Sequence, residues 1–263
     1  MTDSTVCMAL LLSLFAGLST CIGGAVVFFS DLKNIRFLAL SMSFAAGVMI
    51  YVSFMEMLPE AQITLSNLYG NYYATSMLVA LFLFGMLLVY GIEKLFPSIK
   101  IKQGKGVKDE KGKNRLFRTG VLVAIALAIH NFPEGIATFI GGVNNFSVGI
   151  MIAFAIAIHN IPEGVAVAAP IYYSTGNKWK AFRYSLYSGI AEPIGALVAF
   201  LILGDFMTKE VFSFSLAIIS GIMVYISLDY LLPGSWRYGN KKDTVNGAVL
   251  GMAVMAVSLL LIN

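Results

Sequence analysis

His130-Asn131-Phe132-Pro133-Glu134-Gly135 recurs 29 residues later as His159-Asn160-Ile161-Pro162-Glu163-Gly164, with Ala128-Ile129 before one copy and Ala157-Ile158 before the other. The only two histidines of the chain lie in these copies, and both copies are embedded in long apolar runs. A histidine and a carboxylate four residues apart on a helix are separated by about 400° of rotation, so they leave nearly the same face one turn apart. Two such helices facing each other form a cage of nitrogen and oxygen ligands.

The surroundings of the motif set the class. The chain has 263 residues, of which 58% are hydrophobic and 12% charged, with a mean hydropathy of +0.82. These values lie outside the range of water-soluble domains. Eight apolar segments, near 5–28, 37–57, 73–96, 119–140, 147–171, 183–204, 211–232 and 245–262, each supply the roughly 20 helical residues that a bilayer crossing needs. The expectation is an all-α integral membrane protein with one transmembrane domain over 1–263. Its longest interruption, the basic loop 97–118, leaves no room for a soluble catalytic domain. The first segment lacks a basic leader and is expected to be a retained helix. Cys7 and Cys21 on it are roughly 21 Å apart along a helix, too far for a disulfide within the chain.

Basic residues give an orientation. With the N-terminus outside, the inner loops hold 16 of the 18 Lys and Arg residues: Lys33, Arg36, eight in 97–118, Lys178, Lys180, Arg183, Arg237, Lys241 and Lys242. Lys94 falls at an inner helix end and Lys209 alone falls outside, so both termini are expected to be extracytoplasmic. The net charge of +4 implies attraction to anionic lipid heads, not nucleic acid.

A second repeat has the offset 174: Gly47 to Phe54 against Gly221 to Leu228, with Leu58-Pro59 against Leu232-Pro233. By the charge count the paired segments run antiparallel. A pattern repeated in opposite topology marks inverted-repeat transporters, whose site lies near the midplane where the repeats meet. The expected arrangement is 3+2+3, with helices 1–3 and 6–8 as related halves around helices 4–5. Pro133 and Pro162 each remove a helical hydrogen bond, and the freed carbonyl must find a partner or line a cavity. Gly135 and Gly164 permit close approach of a neighbour.

Five carboxylates, Glu56, Glu134, Glu163, Glu192 and Asp229, fall inside apolar segments. Without compensation they would cost of order 15 kcal/mol in a bilayer. No Lys or Arg lies at matching depth, which leaves protonation, water or a bound cation. For His130, Glu134, His159 and Glu163, one divalent cation satisfies all four; such a mixed set suits borderline transition metals. Asn131 and Asn160 are either ligands of an adjacent ion or interhelical hydrogen-bonding groups. Glu192, in a further Glu-Pro stretch, either faces the same cavity or is a protonated carboxyl in a helix contact. Glu56 is a ligand, a gate or an interfacial carboxylate, and Asp229 is a candidate on the exit side. A metalloprotease is disfavoured because there is no His-Glu-x-x-His, and a carboxylate-bridged oxidase because there is no Glu-x-x-His pair. A metal-selective channel is the remaining rival to a carrier.

With its paired His-Asn-x-Pro-Glu-Gly motif, Glu192-Pro193 and Met55-Glu56-Met57-Leu58-Pro59-Glu60, the chain resembles the ZIP (Zrt/Irt-like) family of divalent metal transporters over essentially its whole length, closest to the bacterial ZupT type. The resemblance implies uptake of Zn²⁺, with Fe²⁺, Mn²⁺, Co²⁺ or Cd²⁺ beside it, across the cell membrane into the cytoplasm, the metal being cargo rather than cofactor. It also implies a two-metal site. One ion would be held by His130, Glu134, His159 and Glu163, with Glu56 matched to the ligand from helix 2. The other would be held by Asn131, Asn160 and Glu192, with Glu134 and Glu163 bridging. A homodimer and an elevator-like shift of one helix bundle against another follow from the same likeness. The histidine-rich loop of many members is missing, since 97–118 contains no histidine.

Overall fold

In hydrocarbon every backbone polar group must be satisfied within its own segment, so each long apolar run becomes a helix. The computed structural model describes residues 3–31, 34–95, 110–201 and 208–262. Among these, eight helices are long and apolar enough to cross a membrane. They are α1 (Asp3–Ala25, followed by a 3₁₀ turn Val26–Phe29), α2 (Ile35–Val52, a π turn Ser53–Met57, then Leu58–Tyr69), α3 (Asn71–Leu95) and α4 (Glu110–Asn144). The others are α5 (Phe146–Thr175), α6 (Lys178–Leu201), α7 (Lys209–Ile226, a π turn Ser227–Leu231, then Leu232–Tyr238) and α8 (Lys241–Ile262).

Three helices outrun the expected segments. α2 continues to Tyr69, α7 to Tyr238, and α4 begins at Glu110, inside the expected loop 97–118. Hydropathy marks only the stretch that suits lipid; in α4 the helix-favouring Glu110, Lys113 and Arg115 extend the helix beyond it. Lys33 and residues 97–109 of the basic loop lie outside the described residues.

The π turns fall at the same place in the two related helices, each just before a Leu-Pro pair. Proline lacks the N–H that would bond one turn back, and a widened turn absorbs the mismatch. Ser53 and Ser227 open both turns, and each donates its hydroxyl to the carbonyl four residues earlier, Met49 and Met223, at 2.8 Å. The single residue Asn145 links α4 to α5, its side chain accepting from the backbone N–H of Ser147 at 3.0 Å, which caps α5. That tight hairpin lays the two motif copies side by side and antiparallel.

In space the 3+2+3 chain order resolves into two bundles. α1, α4, α5 and α6 pack together, as do α2, α3, α7 and α8, and the bundles meet mainly through α2 against α5 and α4 against α7. Partners in the inverted repeat therefore share a bundle. Small residues set the spacing, as expected where lipid removes any hydrophobic drive between helices. A Cβ on Gly135 would strike the carbonyl of Glu192 on α6, and one on Gly164 would strike the carbonyl of Thr20 on α1.

Candidate metal centre

The hairpin fixes which motif residues meet. A step of one turn up α4 is a step down α5, so Glu134 comes level with His159, and His130 with Glu163. The geometry agrees: His159 Nε2 lies 2.9 Å from Glu134 Oε1, and His130 Nε2 lies 3.4 Å from Glu163 Oε1. The i,i+4 pairing adds His130 Nε2 to Glu134 Oε1 at 3.2 Å. Glu134 Oε1 is thus shared by both imidazoles, whose ring centres are 6.3 Å apart. Candidate ligand atoms of His130, Glu134 and His159 all lie within 4.8 Å of one another.

These groups are out of water. His130, Asn131, Asn160, Glu163 and Glu192 are 0% exposed, His159 2% and Glu134 8%. Buried charge is tolerable only when paired or coordinated. Yet Glu134 Oε2 and both oxygens of Glu163 have no hydrogen-bond partner among the described residues. Unused lone pairs converging on two imidazoles at this depth are the electron-donor set a divalent cation requires.

The asparagines make the interhelical bonds that their position allowed and keep a ligand atom free. Asn131 Nδ2 donates to the Ser188 carbonyl at 3.2 Å and Asn160 Nδ2 to the Ala16 carbonyl at 3.1 Å. Because a carbonyl acceptor demands the amide nitrogen, the oxygen of each side chain turns the other way. Both Oδ1 atoms are buried and unpartnered. Glu192 joins this group by accepting from Asn160 Nδ2 at 2.8 Å, its second oxygen also unpartnered. The two halves of the expected constellation are therefore adjacent, joined through α4 and α5.

Glu56 comes from the other bundle, on α2. Its π turn places it on the wall of a cavity of about 490 Å³ between the bundles, which Glu134 and His159 also line. Glu56 Oε2 is buried without a partner. Asp229 is exposed on its π turn and is not part of the cavity wall. Glu60, Thr208 and Lys209 also line the cavity, and no role was expected of them. Glu60 had a usable signal, since it lies one turn beyond Glu56 on the same face. Thr208 and Lys209 had none, because only the folding of α7 against α2 and α4 brings them there.

The family model described as ZIP Zinc transporter matches residues 102–259. The zinc transporter ZupT of Lysinibacillus sphaericus (strain C3-41) is 47% identical over 267 residues, covering 99% of both chains. That of Chlorobium luteolum (strain DSM 273 / BCRC 81028 / 2530) is 49% identical over 260 residues, 97% of this chain and 98% of the relative. The ZupT of Campylobacter jejuni subsp. jejuni is 46% identical over 288 residues, 100% of this chain and 99% of the relative.

Proposed function

This chain belongs to the ZIP zinc transporter family, and from that premise we propose that it carries Zn²⁺ into the cytoplasm through a two-ion site on α4, α5 and α6, with Fe²⁺, Mn²⁺, Co²⁺ and Cd²⁺ as further substrates. It is a multi-pass membrane transporter of divalent metal and not an enzyme. One observation carries the site: the buried convergence of His130, Glu134 and His159, the last two on the cavity wall, with carboxylate lone pairs left over.

On this reading the first ion exchanges water for His130, Glu134, His159 and Glu163. The second takes oxygen ligands from Asn131, Asn160 and Glu192, with Glu134 and Glu163 shared between the two. Three carboxylates, Glu134, Glu163 and Glu192, on a cage without lysine or arginine supply the attraction that offsets dehydration of the ion. The cation reaches them past Glu60 and Glu56. The orientation with both termini outside places the cavity mouth on the extracytoplasmic face and the basic loops on the cytoplasmic one.

A carrier is favoured over an open channel. Beyond the cage, the seam between the bundles is filled by Leu38, Met42, Leu127 and Ala166, each at most 1% exposed. Passage then requires that packed side to open while the cavity closes. The test is time-resolved Zn²⁺ influx into proteoliposomes, wild type beside a His130→Ala/His159→Ala double variant. Saturable influx that the variant loses supports the proposal; influx unchanged in the variant would refute the site.

A further inference from the structure

The inverted repeat has another pair of related helices, α1 and α6. Ser13-Leu14, Gly17 and Ile22-Gly23 of α1 recur 172 positions on as Ser185-Leu186, Gly189 and Ile194-Gly195 of α6. The contacts recur as well. Asn160 bonds the Ala16 carbonyl as Asn131 bonds that of Ser188, and Gly164 meets the Thr20 carbonyl as Gly135 meets that of Glu192. In this register Thr20 is the counterpart of Glu192.

The side chain stands where that relation puts it. Thr20 Cβ and Oγ1 are 3.0 and 3.2 Å from the point a Cβ of Gly189 would occupy, and Glu192 Cβ is 3.2 Å from the corresponding point at Gly17. At the two ends of the relation the side chains start from matching positions and differ in length and charge. Glu192 spans the gap to Asn160 at 2.8 Å. Thr20 is shorter, and both its Oγ1 and Asn131 Oδ1 are left without a hydrogen-bond partner among the described residues, each residue being 0% exposed. Helical threonines ordinarily return their hydroxyl to a carbonyl one turn back, and a buried polar group without a partner costs about 1–3 kcal/mol. Two buried oxygens left unpaired at that cost, at the positions that mirror the Glu192–Asn160 pair, are what an unfilled part of a ligand shell offers.

We propose that Thr20 is a specificity-determining residue of the transport site, its hydroxyl oxygen acting with Asn131 Oδ1 to receive the second cation or a water molecule that the cation carries. The assignment rests on the two-ion reading above. It gives that ion an all-oxygen shell of Glu192, Asn131, Asn160, Thr20 and the shared carboxylates. Such a shell suits a harder ion such as Mn²⁺, whereas the imidazole-containing shell next to it suits Zn²⁺. Thr20 thereby sets how well the pair of sites accepts Mn²⁺ relative to Zn²⁺.

The test is equilibrium binding of Mn²⁺ and of Zn²⁺ to the purified full chain in detergent, with thermal melting in parallel. The variants are Thr20→Val, Thr20→Ser and, as a second hydroxyl-free form too small to clash, Thr20→Ala. The expected result is about tenfold weaker Mn²⁺ binding in the valine and alanine forms, with Zn²⁺ binding at the first position unchanged and Mn²⁺ binding restored by serine. Wild-type Mn²⁺ affinity in both hydroxyl-free forms would overturn the assignment. So would an equal loss of both metals that serine does not restore, since that would mark Thr20 as a packing residue. Glu192→Gln separates this from the underlying reading: a wild type that binds one ion, with Glu192→Gln no different, would remove the two-ion site and this role together.

Discussion

The cavity and the packed seam on the opposite side of the cage are the same structure twice. Shifting between repeats carries the cavity-lining Ala137, Ile156 and Leu216 onto Ala166, Leu127 and Met42, all at most 1% exposed and in one core cluster. One copy of the seam between bundles is open to about 490 Å³ and its copy is closed. Equivalent sequence thus supports both arrangements, which is what a transporter needs if its two faces open in turn. The chemistry of the copies differs. Glu56 and Glu60 on the open side correspond to Tyr230 and Gly234 on the closed side, and Lys209 to Ile35. Asp229 is one position out of register with Glu56 and exposed. The open side thus carries two acids that the closed side lacks at the matching positions.

The sharpest way to break this comparison is at its centre, where the copies share a residue. Glu134→Gln removes charge from an oxygen that both histidines contact, and is expected to lower Zn²⁺ transport by about 100-fold, against about tenfold for Asn131→Ala. Equal activity of the two in proteoliposome influx would refute the shared role of Glu134.

Acidification acts on both histidines together. An imidazole must be neutral to bind metal and has an ordinary pKa near 6.5. Protons therefore compete below that value, and apparent Zn²⁺ affinity should fall by up to about tenfold per unit and per proton displaced between about pH 7.5 and about pH 5. The check is a Zn²⁺ titration across that range; a flat profile would count against imidazole ligation.

The acidic asymmetry is tested at the cavity wall. Glu56→Gln/Glu60→Gln is expected to raise the KM for Zn²⁺ several-fold, about 3- to 10-fold, while leaving kcat near wild type, because it weakens capture and spares the cage. A fall in kcat with KM unchanged would instead place Glu56 among the groups that move with the ion.

The smallest effect separates space from packing. Leucine at Ala137 projects into the cavity and should leave thermal stability nearly unchanged while slowing influx. Leucine at its counterpart Ala166 overfills the closed side and should cost about 1–3 kcal/mol of stability. Equal melting temperatures would mean that the two sides are not differently packed.

Much of this molecule was legible in the sequence because its strongest signals are local. Eight crossings follow from apolar length, and the motif residues that face one another follow from an i,i+4 spacing repeated on adjacent antiparallel helices. The limits of α2, α4 and α7 were less legible, since the residues that extend them are not an apolar run and hydropathy does not mark them. The role of Asn131 stayed open because its spacing fits a hydrogen bond and a ligand equally; the amide does bond, and its oxygen remains free. Glu56 was singled out by its charge, but the π turn that sets it on the cavity wall with Glu134 and His159 is one that no hydropathy pattern reveals.

What the sequence determined by itself was the class, the repeats and the paired motif, for these rest on composition, periodicity and identity at fixed offsets. Only the tertiary structure decided that repeat mates share a bundle, that Glu134 Oε1 is common to both histidines, that Glu60 and Lys209 line one cavity, and that Thr20 answers Glu192. Each of those depends on which helices touch and at what height. Contact between helices in lipid is set by close backbone approach at small residues, a property of pairs of surfaces that no single stretch of chain contains.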